Sequence, residues 1–271
     1  MKGNWRVRVV DVLRRDQPGE GDAERPTLPL TTRRRRRIWL RVVKVGLVVV
    51  LVLAAAIGLL FALTPSAGEA TALVRDQAEQ HGIAYPGAPV PRYFAEALVA
   101  TEDKRFYSDP GVDPLAIGRV VLAKITGKQD QGGSTIAQQL AKMLYTPGRS
   151  GVMTELEQVA LAIKLTMTYS KAQILRMYSE VAYYGHGYYG LEQASCGYFG
   201  HPAADLTLVQ AAMLAGAVNA PTYDDPLTYP AQARARLVHV LGRMKAVGYL
   251  TAQQENSALK AALGLSATRG C

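Results

Sequence analysis

From Val45 to Leu63 the chain runs nineteen residues without a charge, and Arg33-Arg34-Arg35-Arg36-Arg37 stands shortly before it. No other stretch restricts the fold as much. At about 1.5 Å per residue, a helix of that length crosses roughly 30 Å of hydrocarbon. Ile38-Trp39-Leu40 leads into it, with only Arg41 and Lys44 intervening, and Trp39 is placed as an interfacial anchor. Massed arginines keep the N-terminal side in the cytoplasm, so the chain beyond Leu63 lies outside. A cleaved signal peptide is the alternative, with Ser66-Ala67-Gly68 as its small residues. Its n-region would be unusually long, and the apolar run exceeds a usual h-region. The expectation is a single-pass, uncleaved anchor over 38–64 in a bacterial cytoplasmic membrane, preceded by a disordered basic tail over 1–37.

The net charge of +9 invites a nucleic-acid reading, so its location matters. The first 44 residues hold 13 Lys/Arg against 5 Asp/Glu, and the other 227 hold 18 against 17. The basicity belongs to the tail. A folded surface for nucleic acid is therefore not supported. Two cysteines exclude a disulfide framework and leave a single bridge open. Cys196 reads as a small core residue within an apolar helix.

Beyond the anchor, 65–90 reads as a stalk with a short helix around 72–80. Residues 91–250 form the folded domain, and 251–271 a last helix and tail. Apolar residues recur at helical spacing over 114–125, 134–145, 154–167, 191–199, 206–218 and 231–247. Ser170-Lys171-Ala172-Gln173 is a capping box opening a further helix to about Val181. Residues 183–190 read as a mobile loop of tyrosines and glycines. No alternating strand and no internal repeat is visible, so the fold class is all-α.

Two stretches carry chemistry. In the first, Phe94, Leu98 and Thr101 make a helical face that begins at Pro91 and stops at Asp109-Pro110-Gly111. Glu102 and Asp103 fall in its last turn, where the helix dipole repels them. A carboxyl held so tends toward a raised pKa, which suits a proton acceptor near neutral pH. The alternative is a solvated helix end with Lys104 and Arg105 as counter-charges. The second stretch is Gly132-Gly133-Ser134-Thr135-Ile136-Ala137-Gln138-Gln139-Leu140-Ala141-Lys142. A Gly-Gly-Ser-Thr helix start, capped by Ser134, offers free N–H groups and two hydroxyls to an anion. The alternative is a plain N-cap with a polar face. Together the two stretches suit a phosphorylated or pyrophosphorylated substrate. His186 has no second histidine at ligand spacing, so no metal site is expected there.

The ordered motifs resemble the family 51 peptidoglycan glycosyltransferases. These occur as the transglycosylase domain of class A penicillin-binding proteins and as monofunctional enzymes. The motifs are Glu102-Asp103-x-x-Phe106 with Gly111-x-Asp113, Gly133-Ser134-Thr135-Ile136-x-Gln138-Gln139, and Tyr169-Ser170-Lys171-x-x-Ile174-Leu175-x-x-Tyr178. Tyr198-Phe199-Gly200, Leu214-Ala215-Gly216, Ala220-Pro221 and Arg236-x-x-x-Val240-Leu241-x-Arg243-Met244 continue the likeness over roughly 85–250. It implies a lysozyme-like helical fold and polymerisation of lipid II outside the membrane. An undecaprenyl-pyrophosphate-linked glycan would be the donor and the 4-hydroxyl of lipid II the acceptor. It makes Glu102 the general base. It places Asp103, Arg105, Phe106, Ser134, Thr135, Gln138, Gln139, Lys142, Lys171 and Tyr178 at substrate-binding positions, with Gln158 at the second, donor-side position. No cofactor is certain; a divalent cation, Mg2+ or Mn2+, could accompany the pyrophosphate. The implied partners are the lipid-linked substrates, the membrane, and cell-wall synthesis or division proteins. A single-domain form is expected.

The chain departs from that pattern at named places. Asp109 stands where the family carries histidine, and Glu180 where it carries asparagine. Thr154, Glu155 and Gln158 occupy the places of an Arg-Lys-x-x-Glu motif, with Arg149 and Lys164 as the cations nearest to replace the lost ones. A catalytically impaired relative that binds lipid-linked precursors or partner proteins is therefore the second expectation. A glycan-cleaving lysozyme is the third, and the Gly-Gly-Ser-Thr-Ile-x-Gln-Gln stretch argues against it.

Overall fold

The computed structural model describes residues 30–113, 134–266 and 271. The expected helix over 114–125 and the Gly132-Gly133 pair lie outside the described residues. The chain divides into two compact units, 1–56 and 57–271.

In the first unit the described residues are helical and belong to α1 (Leu30–Leu63), whose last turns open the second unit. From Arg35 to Ala56 every side chain is exposed. A surface so apolar has no favourable solvent in water, and the most apolar window reaches a mean hydropathy of 3.0. The helix is long and apolar enough to cross a membrane.

In the second unit all regular structure among the described residues is helical, apart from one antiparallel bridge between Tyr183 and Tyr189. The helices are α2 (Ala70–Gln80), α3 (Arg92–Glu102), α4 (Ile136–Tyr145), α5 (Val152–Thr168), α6 (Lys171–Val181), α7 (Leu191–Phe199), α8 (Leu208–Ala217), α9 (Pro230–Ala246) and α10 (Ala252–Lys260). They form two packed groups. In one, α3, α8 and α9 pack on one another; in the other, α4 packs on α5 and α6. The end of α3 reaches both.

α8 makes the first group possible. Every residue from Val209 to Ala217 is buried, and half of the helix is alanine and glycine, so its neighbours approach closely. A Cβ on Gly216 would stand 2.9 Å from Arg236 Cγ and 3.2 Å from Val240 Cγ2. In the second group Ile136, Leu140, Leu161 and Leu165 are fully buried. Each such side chain contributes about 1.5–3 kcal/mol by leaving water.

Several expectations need correction. Thr135, not Ser134, is the N-cap of α4: its hydroxyl accepts the Gln138 N–H, the Gln138 side chain returns the bond, and Ser134 stays exposed. Pro91 is the N-cap of α3, one place before the expected first turn. Residues 183–190 are pinned: Tyr184 N–H bonds Tyr188 O, Tyr198 O–H donates to Tyr184 O, and His81 stacks on Tyr189 at 3.6 Å. Cys196 is bonded to Cys271, so it is half of a bridge and not a free core thiol. The stalk is fixed as well. Lys164 donates to the carbonyls of Phe61, Thr64 and Pro65, and Tyr145 and Tyr169 donate to those of Ser66, Ala67 and Gly68.

Candidate active site

α3 ends on Glu102 because Asp103 leaves the helix at φ −153°, ψ 74°. The Glu102 side chain is 7% exposed, and three elements donate to it. Gln139 of α4 gives an N–H to Oε2 at 3.0 Å. Arg236 of α9 gives one to Oε1 at 3.0 Å. Asn219, between α8 and α9, reaches both oxygens at 3.3 and 3.4 Å. The Gln139 amide cannot turn, because Tyr178 O–H donates to its Oε1 at 2.8 Å. Burial, and then the charge of Glu102, raise the Tyr178 phenol well above its ordinary range, so it remains a donor. The helix-end argument offered Lys104 and Arg105 as counter-charges; the fold brings Arg236 to Glu102 instead.

Asp103 turns the other way, into the core. Its Oδ2 accepts the Ile136 N–H at 3.1 Å and so ties the end of α3 to the start of α4. Asp109 lies close by. Its Oδ1 accepts from Gly111 N–H at 2.7 Å and Lys171 Nζ at 3.2 Å, while Oδ2 is buried without a donor. Burial pushes the Asp103 carboxyl up to about 7, aided by the Asp109 charge; the Ile136 N–H and Lys171 oppose it. A proton on Asp103 supplies the donor that Asp109 otherwise lacks.

Much of the substrate-binding set is therefore engaged in building the site. Phe106 is fully buried beneath Lys171, whose ammonium sits 4.6 Å from the ring centroid and also donates to the Asp109 carbonyl. Arg105 pairs with Asp113. Thr135 O–H donates to Gly111 O at 2.6 Å, and Gly111 keeps φ at +101° where a Cβ would strike Ala162 O. Ser134 and Lys142 are the members left exposed.

Gln158, expected at the donor-side position, is on α5. Gln158 Nε2 donates to Thr146 Oγ1 at 2.8 Å. Thr146 stands seven residues beyond Gln139, which is about 10 Å along a helix axis. Arg149 is nearby and pairs with Glu157 at 2.7 Å. Lys164 donates to the carbonyls of Phe61, Thr64 and Pro65. Among the described residues no three His, Cys, Asp or Glu side chains converge to hold a metal. Sequence reasoning missed Asn219 and gave Arg236 no role at Glu102. The partners are 117 and 134 positions apart, and only the late Arg236-x-x-x-Val240 motif hinted at the second.

Comparison with known proteins settles the family. A family profile described as Transglycosylase matches residues 69–245. The chain belongs to the transglycosylase family. The match runs from the stalk through most of α9 and includes every residue around Glu102. Among this family's members, penicillin-binding protein 1F of Bacillus subtilis is 38% identical over 177 residues, which is 65% of this chain and 25% of that protein. Penicillin-binding protein 2a of Streptococcus pneumoniae is 42% identical over 162 residues, 60% of this chain and 22% of that protein. A protein of Cupriavidus necator named "Putative transglycosylase" is 35% identical over 174 residues, 64% of this chain and 75% of that protein. The chain thus spans about a quarter of the length of the penicillin-binding proteins it matches.

Proposed function

We propose that this chain is a membrane-anchored peptidoglycan glycosyltransferase that polymerises lipid II. The observation that carries the reading is Glu102, a nearly buried carboxylate set at the junction of α3, α4 and α9 in a transglycosylase-family chain. Glu102 takes the proton from the acceptor 4-hydroxyl as that oxygen attacks the anomeric carbon of the donor. The bond from that carbon to the undecaprenyl pyrophosphate breaks, and the leaving group departs with the bonding electrons. The configuration inverts. The exposed Lys142 and Ser134, with Arg149, are the groups offered to the pyrophosphate charge. α1 would hold the site beside its lipid-linked substrates, with the folded unit outside the membrane.

A second reading, a catalytically impaired precursor-binding relative, is favoured by one observation: the Gln158 amide is spent on Thr146. Polymerisation of lipid II by the purified full chain separates the two. The wild type should form glycan, and Glu102→Gln should lose it by about 100-fold or more, the scale of a missing general base. A wild type that forms none, with activity appearing in Gln158→Glu, establishes the second reading. Full activity in Glu102→Gln would remove Glu102 from the role of base.

A further inference from the structure

The Glu102 carboxylate is covered as well as buried, so an acceptor must displace something to reach it. The three donors differ in how they are held. Gln139 is fixed from behind by the buried Tyr178. Arg236 is fixed by its Nε bond to Gly216 O at 3.2 Å and by Asp224, 4.0 Å away. Asn219 is exposed, and its bonds to Glu102 are the longest of the set. Asn219 is therefore the donor that yields, while Gln139 and Arg236 remain.

Of the two that remain, only Arg236 is charged. No other cation takes its place on that face of α9. Arg243 Nε is turned to Ala100 O at 3.3 Å. His239 is pushed toward its neutral form by burial and by Arg236 and Arg243. The fold also makes room for this one arginine, since Gly216 lacks the Cβ that would meet Arg236 Cγ.

We propose that Arg236 is the positioning residue of this site: its guanidinium keeps Glu102 aimed while Asn219 gives way to the acceptor hydroxyl. The proposal rests on the glycosyltransferase reading for its chemistry and on the three-donor geometry for its mechanics. A charge-assisted bond is stronger than the neutral amide bonds beside it, so its loss frees the carboxylate to turn.

The test compares the wild type with Arg236→Met and Arg236→Lys as full chains, in lipid II polymerisation and by crystallography. In Arg236→Met, kcat should fall about 10- to 100-fold, the value of one hydrogen bond to a charged group, with KM little changed. Arg236→Lys should recover part of that loss, because it restores the charge without the fork. The Met variant should show the Glu102 carboxylate turned off the Gln139 amide. Unchanged kcat, or a lysine variant no better than the methionine one, overturns the proposal. If Arg236→Met does not fold, Arg236→Lys decides: kcat and the Glu102 position both at wild-type values are expected from a merely structural arginine and overturn it. If the wild type makes no glycan, the glycosyltransferase reading fails. The crystal structures then decide alone, and a Glu102 that stays on Gln139 in both variants overturns the positioning role.

Discussion

Asp103 and Asp109 place two carboxyl groups in the core, and Lys171 bonds to the second of them. The pair has a consequence for stability. Burial and the neighbouring charge raise Asp103 from its ordinary 3.8 to about 7 in the folded chain. A folded pKa above the unfolded one means that the folded state binds the proton more tightly. The stabilisation is then full below about pH 4 and is lost as pH rises toward 7. Stability should therefore decline over that window by about 1–3 kcal/mol from this pair. Asp109→Asn removes the like charge and should flatten the decline. Urea midpoints at pH 5 and pH 7.5 for both proteins check this. An equal pH dependence in the two would mean that Asp109 does not drive the shift.

At the scale of elements, α8 sets how close the catalytic helix comes to α9. Gly216→Ala adds a methyl 2.9 Å from Arg236 Cγ, on a side chain already fixed at its other end. Overpacking of this kind costs about 1–3 kcal/mol. The substitution should lower both the melting temperature and the polymerisation rate, because the same shift moves Arg236 away from Glu102. Wild-type values for both would show that α9 yields without disturbing the site. Helices of this kind are legible in sequence because their signals are local. The Ser170–Gln173 and Thr251–Gln254 capping boxes mark two starts, and apolar spacing recovers Leu191–Phe199 with its bounds intact. The two stretches that hold Glu102 and Gln139 were legible too, although the helix carrying Glu102 ends there and not at Asp109. The contacts that complete the site were not. Asn219 and Arg236 meet Glu102 only after α8 and α9 have packed, and no pattern within one helix records which face of another it will meet. The Ser134 cap failed for a smaller reason: two adjacent hydroxyls satisfy the same motif, and the Thr135 bond to Gly111 O decides between them.

Over the whole molecule, the Cys196–Cys271 bridge closes the segment that carries α8, α9 and α10 back onto α7. That segment supplies Asn219 and Arg236, and with them every donor to Glu102 except Gln139 among the described residues. The return is reinforced without the bridge, by Ser266 N–H to Tyr198 O at 2.7 Å and Gln210 Nε2 to Leu263 O at 3.1 Å. A bridge of this kind persists in an oxidising compartment. Because it spans 75 residues of sequence, it removes much conformational freedom from the unfolded chain. Reducing it should cost about 2–4 kcal/mol, or roughly 5–10 °C of melting temperature for a unit of this size. The Cys196→Ser, Cys271→Ser double variant should melt at the lowered temperature with or without dithiothreitol, while the wild type should shift only when reduced. Heating should then silence polymerisation earlier in the reduced protein, since the Arg236 side of the site lies within the released segment. A wild type whose melting is indifferent to dithiothreitol would show that the hydrogen-bonded return holds the segment by itself, and that the bridge contributes nothing to the stability of the site.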